Sequence, residues 1–211
     1  MLQKLLDAIA RQPAVWDLFR SIAEAGFHAD YRLIEQELHP NDGDQTRKFL
    51  DFGCGTGQFA RCFPADRYYG FDIARHYVTY ARRNHPYKLS VMNGAAMGYA
   101  TGTFDAALIL GVFHHLDDDT VRGCVRELHR VVRAGGRVLM LEDIPAQNAW
   151  NLLGRAMHWL DRGDNIRSDA HYQSLMAPYF RIERTSQILS GICDLGVYVM
   201  VRTDTSTPTG A

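Results

Sequence analysis

Glycines at alternate positions follow a short apolar stretch near residue 50, and this arrangement constrains the local fold more than any other feature. Residues 48–52 have the composition of a buried strand, and Gly53, Gly55 and Gly57 come directly after them. Because glycine has no Cβ, backbone N–H groups on one side of the turn can approach a ligand that larger residues would hold away. The pattern predicts a strand and a loop that binds a nucleotide-like molecule.

A second apolar stretch, residues 68–71, ends in an acid, Asp72. Its distance from the glycine loop is that at which a βαβ unit returns to the same sheet edge. A carboxylate at this edge suits the hydroxyl groups of a ribose. Asp51 places another carboxylate at the end of the first strand.

Composition excludes several classes of protein. With 211 residues, of which 46% are hydrophobic and 22% charged, the chain fits one globular domain. Its net charge is -1 and its basic residues are scattered, so we expect no nucleic-acid partner. The four cysteines are too widely spaced for a zinc cluster, so we expect none, and because nothing in this sequence resembles a secretory leader or an apolar run long enough to span a membrane, we expect neither feature. We therefore expect a cytoplasmic protein with reduced thiols and no metal, either a monomer or a homodimer.

The first 40 residues read as a helical cap. Apolar residues fall on one face in each of two segments, which Pro13 and Gly26 delimit: Leu2, Leu5, Leu6 and Ile9, then Trp16, Phe19, Ile22 and Ala23. A polar break over residues 39–44 then leads to the glycine loop.

From residue 48 onward, strands and helices alternate. The clearest helix has apolar residues at helical spacing (Val121, Cys124, Val125, Leu128, Val131 and Val132), with Asp117, Asp118 and Asp119 at its start and Gly135-Gly136 as the predicted end. The last two apolar stretches, 181–189 and 195–202, are close enough to pair antiparallel. The order predicts an α/β fold, a doubly wound, Rossmann-like sheet of seven mostly parallel strands with an antiparallel last strand.

We expect one domain over residues 1–203, with a cofactor-binding core at 48–143 and an acceptor-side lid at 144–178. The lid contains an apolar helix near residues 150–160, which suggests one wall of a hydrophobic pocket. Arg162 and Arg167 either bind an acidic acceptor or lie in a solvated turn. Residues 204–211 have the composition of a disordered tail.

Four segments together resemble the class I S-adenosylmethionine-dependent methyltransferases, most closely the small-molecule group that includes the ubiquinone and menaquinone biosynthesis enzymes. They are residues 50–57, Asp72, residues 104–116 with His114-His115, and residues 130–137. The resemblance implies methyl transfer from S-adenosylmethionine, with S-adenosylhomocysteine as product, to a small-molecule acceptor, and the apolar lid helix suggests an apolar one. O-methylation is favoured over N- or C-methylation.

The resemblance also implies a set of cofactor-binding residues: Asp51, Gly53, Cys54, Gly55, Gly57, Asp72, Ile73, Asn93, Gly94, Ala95 and Leu110. In it, Asp72 accepts hydrogen bonds from the ribose hydroxyls, and Ile73 contacts the adenine ring. Asn93 stands where many relatives carry an aspartate that binds the adenine amino group. The alternatives are a tight strand-to-helix turn at the glycines, a helix cap at Asp72 and an ordinary turn at 93–95.

His114 and His115 follow the fourth strand, at the edge where ligands bind in open α/β sheets. A neutral imidazole there could take the proton of an acceptor hydroxyl, so both are candidate catalytic residues. The alternative is that the pair only shapes the cavity.

Two other classes share parts of this pattern. A nicotinamide-dependent oxidoreductase also has a glycine loop and an acid about 20 residues later, but its glycines follow G-x-G-x-x-G, whereas this loop is G-x-G-x-G. A non-catalytic protein could retain the same cofactor-binding fold.

Overall fold

The protein contains a seven-stranded sheet with the strand order β3-β2-β1-β4-β5-β7-β6. A computed structural model describes residues 12–84, 86–147 and 165–203. The strands are β1 (Phe49–Phe52), β2 (Tyr68–Asp72), β3 (Lys88–Val91), β4 (Phe104–Leu110), β5 (Val132–Asp143), β6 (Phe180–Ser190) and β7 (Cys193–Arg202). The α-helices are α1 (Pro13–Ala23), α2 (His28–Leu38), α3 (Arg75–Asn84), α4 (Asp118–Val131) and α5 (Asp169–Met176).

Strands β1 to β5 pair in parallel, and β7 is antiparallel to both of its neighbours. This arrangement confirms the predicted fold class. Because the parallel strands run the same way, the residues after β1, β2, β4 and β5 meet at one edge of the sheet. The first residues of β7 meet them there, since β7 runs in the opposite direction.

Helices cover both faces of the sheet. On one face, α4 and α5 bury Val121, Val125, Leu128 and Leu175 against the central strands. On the other face, α2 and α3 contribute further side chains to a second apolar cluster: Ile34, Leu38, Val78 and Ala81. The apolar runs of β4 and β5 are buried on both sides for this reason.

Helix α4 begins as the sequence predicts and ends earlier. The Asp117 side chain accepts a hydrogen bond of 2.8 Å from the Thr120 backbone N–H, which caps the first turn. The helix ends at Val131, and the prediction that Gly135-Gly136 terminates it is wrong. Those glycines lie inside β5, next to a register shift against β4, where Gly135 has a φ of +71°.

The N-terminal cap is helical over its described part, but one residue of its predicted apolar face, Ile22, is exposed. The side chain of Ile22 is 74% exposed, whereas Trp16 and Phe19 are partly buried against the sheet edge. Between α1 and α2 the chain turns sharply, and Ala25, Gly26 and Phe27 all have positive φ. The Ile192 backbone N–H donates to the Ala23 carbonyl at 2.9 Å, so the cap is joined to the β6–β7 turn.

Some predicted features fall outside the described residues: the first apolar face at Leu2, Leu5, Leu6 and Ile9, the helix near 150–160, Arg162 and the tail at 204–211. Within the described ranges, no helix is both long and apolar enough to cross a bilayer. Cys54, Cys62, Cys124 and Cys193 all carry free thiols.

Candidate functional site

A cavity of about 450 Å³ opens at the sheet edge where the predicted site residues meet. Its walls come from α1, the glycine loop, the ends of β2, β4 and β5, and the start of β7. Of the predicted residues, those that line it are Asp51, Gly53, Cys54, Gly55, Asp72, Ile73, Leu110, His114 and His115. The sheet topology therefore brings most of the predicted site together.

The glycine loop has the backbone shape that its composition predicts. Gly53, Gly55 and Gly57 have φ values of +72°, +51° and +81°, a backbone region that residues with side chains rarely adopt. A Cβ on Gly53 would lie 2.6 Å from a methyl group of Val112, whereas a Cβ on Gly55 would meet nothing within 4 Å. The position of Gly55 leaves open space beside the backbone for a ligand. Gly57 closes the turn through an N–H bond to the Cys54 carbonyl at 2.9 Å and does not line the cavity.

Asp72 is held at the cavity edge by two backbone N–H groups. Its Oδ2 accepts from Gly55 at 2.9 Å, and its Oδ1 accepts from Ala74 at 2.7 Å. Each carboxylate oxygen has a second lone pair, so the group can still receive two ligand hydroxyls. Ile73 beside it is 72% exposed and offers an apolar surface for a ring.

Asp51 is a buried carboxyl beneath the glycine loop. It is 3% exposed and accepts a hydrogen bond of 2.6 Å from the Tyr68 hydroxyl. Burial raises the pKa of Asp51 to about 7, and the nearby Asp72 adds to this effect. A positively charged ligand group in the cavity would favour the ionised form.

The segment Asn93-Gly94-Ala95 lies away from the cavity lining. The Asn93 Oδ1 accepts from the Ala95 N–H at 2.9 Å, which forms a side-chain turn. Gly94 lies against the ring of Phe52, where a Cβ would come within 2.3 Å of a ring carbon. These contacts match the alternative of an ordinary turn, and a role in adenine binding stays a prediction for all three residues.

The loop that carries His114 is organised by Glu142, which is fully buried at the end of β5. Its Oε1 accepts from the Val112 and Phe113 N–H groups at 2.9 and 2.8 Å. Its Oε2 accepts from the His114 N–H at 3.2 Å and lies 2.9 Å from His114 Nδ1. A carboxylate accepts at Nδ1, so the imidazole carries a proton there and directs Nε2 away from Glu142.

Two acidic residues therefore contact the two nitrogens of the buried His114. Asp143 lies on the other side, with its Oδ2 3.5 Å from Nε2. His115 is exposed, and its ring lies 3.9 Å from the His114 ring between centroids. Of the two histidines, His114 has the fixed orientation that proton transfer requires.

Arg167 fixes the same loop from its carbonyl side. It is 5% exposed and donates to the Phe113 carbonyl at 2.7 Å, to the Leu116 carbonyl at 2.5 Å and to Asp118 at 2.8 Å. Both alternatives for Arg167, an acceptor site and a solvated turn, are wrong, because its guanidinium is used inside the protein.

The N-terminal cap closes one side of the cavity through α1, whose individual residues were not among the predicted site residues. Trp16, Asp17, Phe19, Arg20 and Glu24 all line it. Asp17 accepts a hydrogen bond of 2.6 Å from the Thr56 hydroxyl, which joins α1 to the glycine loop. The helical spacing of Asp17, Arg20 and Glu24 beside apolar residues was the available signal for a functional face.

Comparison with known proteins agrees with this architecture. Residues 50–140 match the family model described as a methyltransferase domain. No curated protein matches the chain by sequence. Within the described residues, no group of three or more histidine, cysteine or acidic side chains could hold a metal ion.

Several solved structures share the fold at low identity. The PH0226 protein from Pyrococcus horikoshii OT3 is 18% identical, with a TM-score of 0.64 over 84% of this chain and 92% of that chain. Geranyl diphosphate C-methyltransferase from Streptomyces coelicolor A3(2) is 15% identical, with a TM-score of 0.64 over 83% of this chain and 79% of that chain. The [4+2]-cyclase SpnF is 16% identical, with a TM-score of 0.65 over 83% of this chain and 82% of that chain.

These similarities define the class of the fold. The chain has the Rossmann-like fold of the methyltransferases, and its central segment from the glycine loop to β5 matches the methyltransferase-domain family.

Proposed function

We propose that the protein transfers a methyl group from S-adenosylmethionine to a small-molecule acceptor. The observation that carries this proposal is the single cavity in which the glycine loop, Asp72 and the His114 loop meet at one sheet edge. The family match over residues 50–140 and the cofactor product named with the Streptomyces enzyme support it. The antiparallel β7 also disfavours a nicotinamide-dependent oxidoreductase.

The described residues fit the cofactor. Asp72 would receive the ribose hydroxyls, Ile73 and Leu110 would contact the ring, and the open space beside Gly55 would admit the sugar and methionyl parts. The bound cofactor supplies an electrophilic methyl group, and the protein must orient the acceptor in line with it and exclude water. Orientation of this kind can lower a barrier by about 7–11 kcal/mol.

His114 is the residue that we assign to proton removal from the acceptor. Glu142 holds the imidazole through Nδ1, which leaves Nε2, 3.5 Å from the Asp143 carboxyl, as the nitrogen that would exchange the proton. Because a base is needed to deprotonate a hydroxyl, this role favours O-methylation over N- or C-methylation. It also favours placing the protein in the small-molecule group of methyltransferases. His115 contributes to the cavity wall at its exposed end.

Calorimetric titration with S-adenosylhomocysteine and with NAD tests the proposal. We expect micromolar-range binding of S-adenosylhomocysteine and no heat from NAD. The variant Asp72→Ala should weaken S-adenosylhomocysteine binding at least tenfold, because charge-assisted hydrogen bonds contribute about 1.5–3 kcal/mol each. Asp119→Asn, at a side chain that is 98% exposed, is the control and should bind as the wild type does.

Binding of NAD, together with no binding of S-adenosylhomocysteine, would contradict the proposal. Binding and catalysis are tested separately, since SpnF, described as a cyclase, has the same fold. Conversion of S-adenosylmethionine to S-adenosylhomocysteine in the presence of a metabolite mixture would exclude a purely binding function.

A further inference from the structure

One part of the cavity wall holds a buried carboxyl group whose hydrogen bonding is incomplete. Glu24, at the end of α1, is 5% exposed and lines the cavity. Its Oε1 lies 2.8 Å from Arg20 Nε and 2.7 Å from Arg20 Nη2. Its Oε2 is buried, and no group in the described part of the chain donates a hydrogen bond to it. A buried carboxylate oxygen without a donor is costly, so a ligand that supplies one would be favoured.

The cavity wall that includes Glu24 carries more acidic than basic side chains, which favours a positively charged ligand. Among the described residues that line the cavity, five are acids and one is an arginine: Asp17, Glu24, Asp51, Asp72, Asp143 and Arg20. Burial is the main cause that raises the pKa of Glu24, Arg20 opposes it, and the charges of Asp30 and Asp143 add smaller effects in the same direction as burial. A cation between Glu24 and Asp143 would relieve this repulsion.

The chemistry of the remaining wall agrees with an organic cation. Trp16 and Phe19, on the helix that Glu24 caps, also line the cavity, and their ring centroids lie 5.9 Å apart. Aromatic faces attract ammonium groups, and the effect increases when water is excluded. Apolar rings beside carboxylates fit an amine that carries a hydrophobic body.

Glu24 lies on the acceptor side of the cavity. Asp72 ends β2, whereas Asp143 ends β5, and the order β2-β1-β4-β5 separates them by three strand spacings, or about 14 Å. Glu24 is joined to the far side, because Ser190 at the end of β6 donates to Asp30 at 2.8 Å and Ile192 donates to Ala23. The ribose end of the cofactor and the Glu24 carboxyl therefore occupy opposite ends of the site.

We propose that Glu24 is a specificity-determining residue that binds a protonated amine of the acceptor, with Asp143 on the wall of the same cavity. The inference rests on the proposed function for the identity of the bound molecule as an acceptor. The terminal torsion of glutamate is broad, so a rotation of the carboxyl group presents an oxygen to the cavity while Arg20 retains the other. The amine fixes the acceptor by a group distinct from the oxygen that His114 serves.

Binding of three matched aromatic probes tests the inference. Benzylamine, benzyl alcohol and benzoate share a ring and differ in the charge of the head group. Their affinities are measured by ligand-observed NMR, with the free protein and with the protein saturated with S-adenosylhomocysteine. We expect benzylamine to bind at least tenfold more tightly than benzyl alcohol, and benzoate not to bind.

The variant Glu24→Gln should remove the preference for benzylamine and leave the affinity for S-adenosylhomocysteine within twofold of the wild type. Glu35→Gln, at an exposed position of α2, is the matched control and should keep both. Equal binding of benzylamine and benzyl alcohol, no binding of benzylamine, or an unchanged preference in Glu24→Gln would overturn the inference. A parallel loss of S-adenosylhomocysteine affinity would assign Glu24 to the cofactor and overturn it too.

The result that would contradict the proposed function differs from those that would contradict the role of Glu24. If S-adenosylhomocysteine does not bind to the wild type, the probe comparison in the free protein still measures the role of Glu24.

Discussion

At the scale of single residues, Glu142 has more influence on the site than its position in the sequence suggests. One buried carboxylate accepts from three consecutive backbone N–H groups and lies against His114 Nδ1. Hydrogen bonds to a charged acceptor are stronger than neutral ones, and a missing acceptor would leave several buried donors unsatisfied. The orientation of the His114 ring, the proposed base, is thus set by a side chain at the end of β5.

Replacing Glu142 by glutamine should destabilise the protein by about 2–3 kcal/mol, because one carboxylate oxygen becomes an amide that cannot accept from these donors. Urea unfolding monitored by circular dichroism measures the change. Asp119→Asn is the control and should change the free energy of unfolding by less than about 0.5 kcal/mol. A Glu142→Gln protein as stable as the wild type would contradict this account of the loop.

At the scale of elements, the cap formed by α1 and the following turn depends on a close approach of two backbones. Gly191 has a φ of +60°, and a Cβ there would lie 2.0 Å from the Ala23 carbonyl oxygen. A side chain at this position would separate α1 from the β6–β7 turn. Because α1 supplies one wall of the cavity, its position decides the shape of the proposed acceptor site.

The variant Gly191→Ala should therefore lose more stability than backbone strain alone explains. Gly43→Ala is the matched control, since Gly43 has a φ of +92° and a Cβ there would meet nothing within 4 Å. We expect Gly43→Ala to cost about 1 kcal/mol, from strain, and Gly191→Ala to cost clearly more. Urea unfolding gives both values. Equal losses in the two variants would show that the contact with Ala23 is unimportant.

The sequence predicts the sheet and the cofactor side of the site better than the acceptor side. The glycine loop and Asp72 follow and end two consecutive strands, β1 and β2, that pair in parallel, so their spacing along the chain carries the geometry. Glu24 and Arg167 act through contacts with β6–β7 and with the His114 loop, which lie far away in the sequence. Local patterns contain no information about such pairings, which is why Glu24 was not predicted and the role of Arg167 was predicted wrongly.

At the scale of the whole molecule, buried acids make stability depend on pH. Burial raises the pKa of Glu24 from 4.5 to about 7 and that of Asp51 from 3.8 to about 7. Between the unfolded and folded pKa values, the folded protein binds more protons than the unfolded chain, so stability falls as pH rises through this interval. His129 acts in the opposite direction, because burial lowers its pKa.

The variant Glu24→Gln isolates one of these contributions. Its free energy of unfolding relative to the wild type should increase from pH 5 to pH 8, by on the order of 3 kcal/mol. Thermal melting of the ligand-free proteins at both pH values measures the change. Glu35→Gln, at an exposed carboxyl, should show no such trend. A constant difference between Glu24→Gln and the wild type would refute the assignment.

The backbone hydrogen bond from Ile192 to Ala23 also affects when the cavity can form during translation. Synthesis begins at the amino terminus, so α1 leaves the ribosome long before β6 and β7 exist. Its binding position includes the turn between those last two strands, and it cannot be completed while they are missing. The cavity therefore acquires this wall only after β6 and β7 have been translated, and a chain that still lacks these strands has no complete site with which to bind a cofactor.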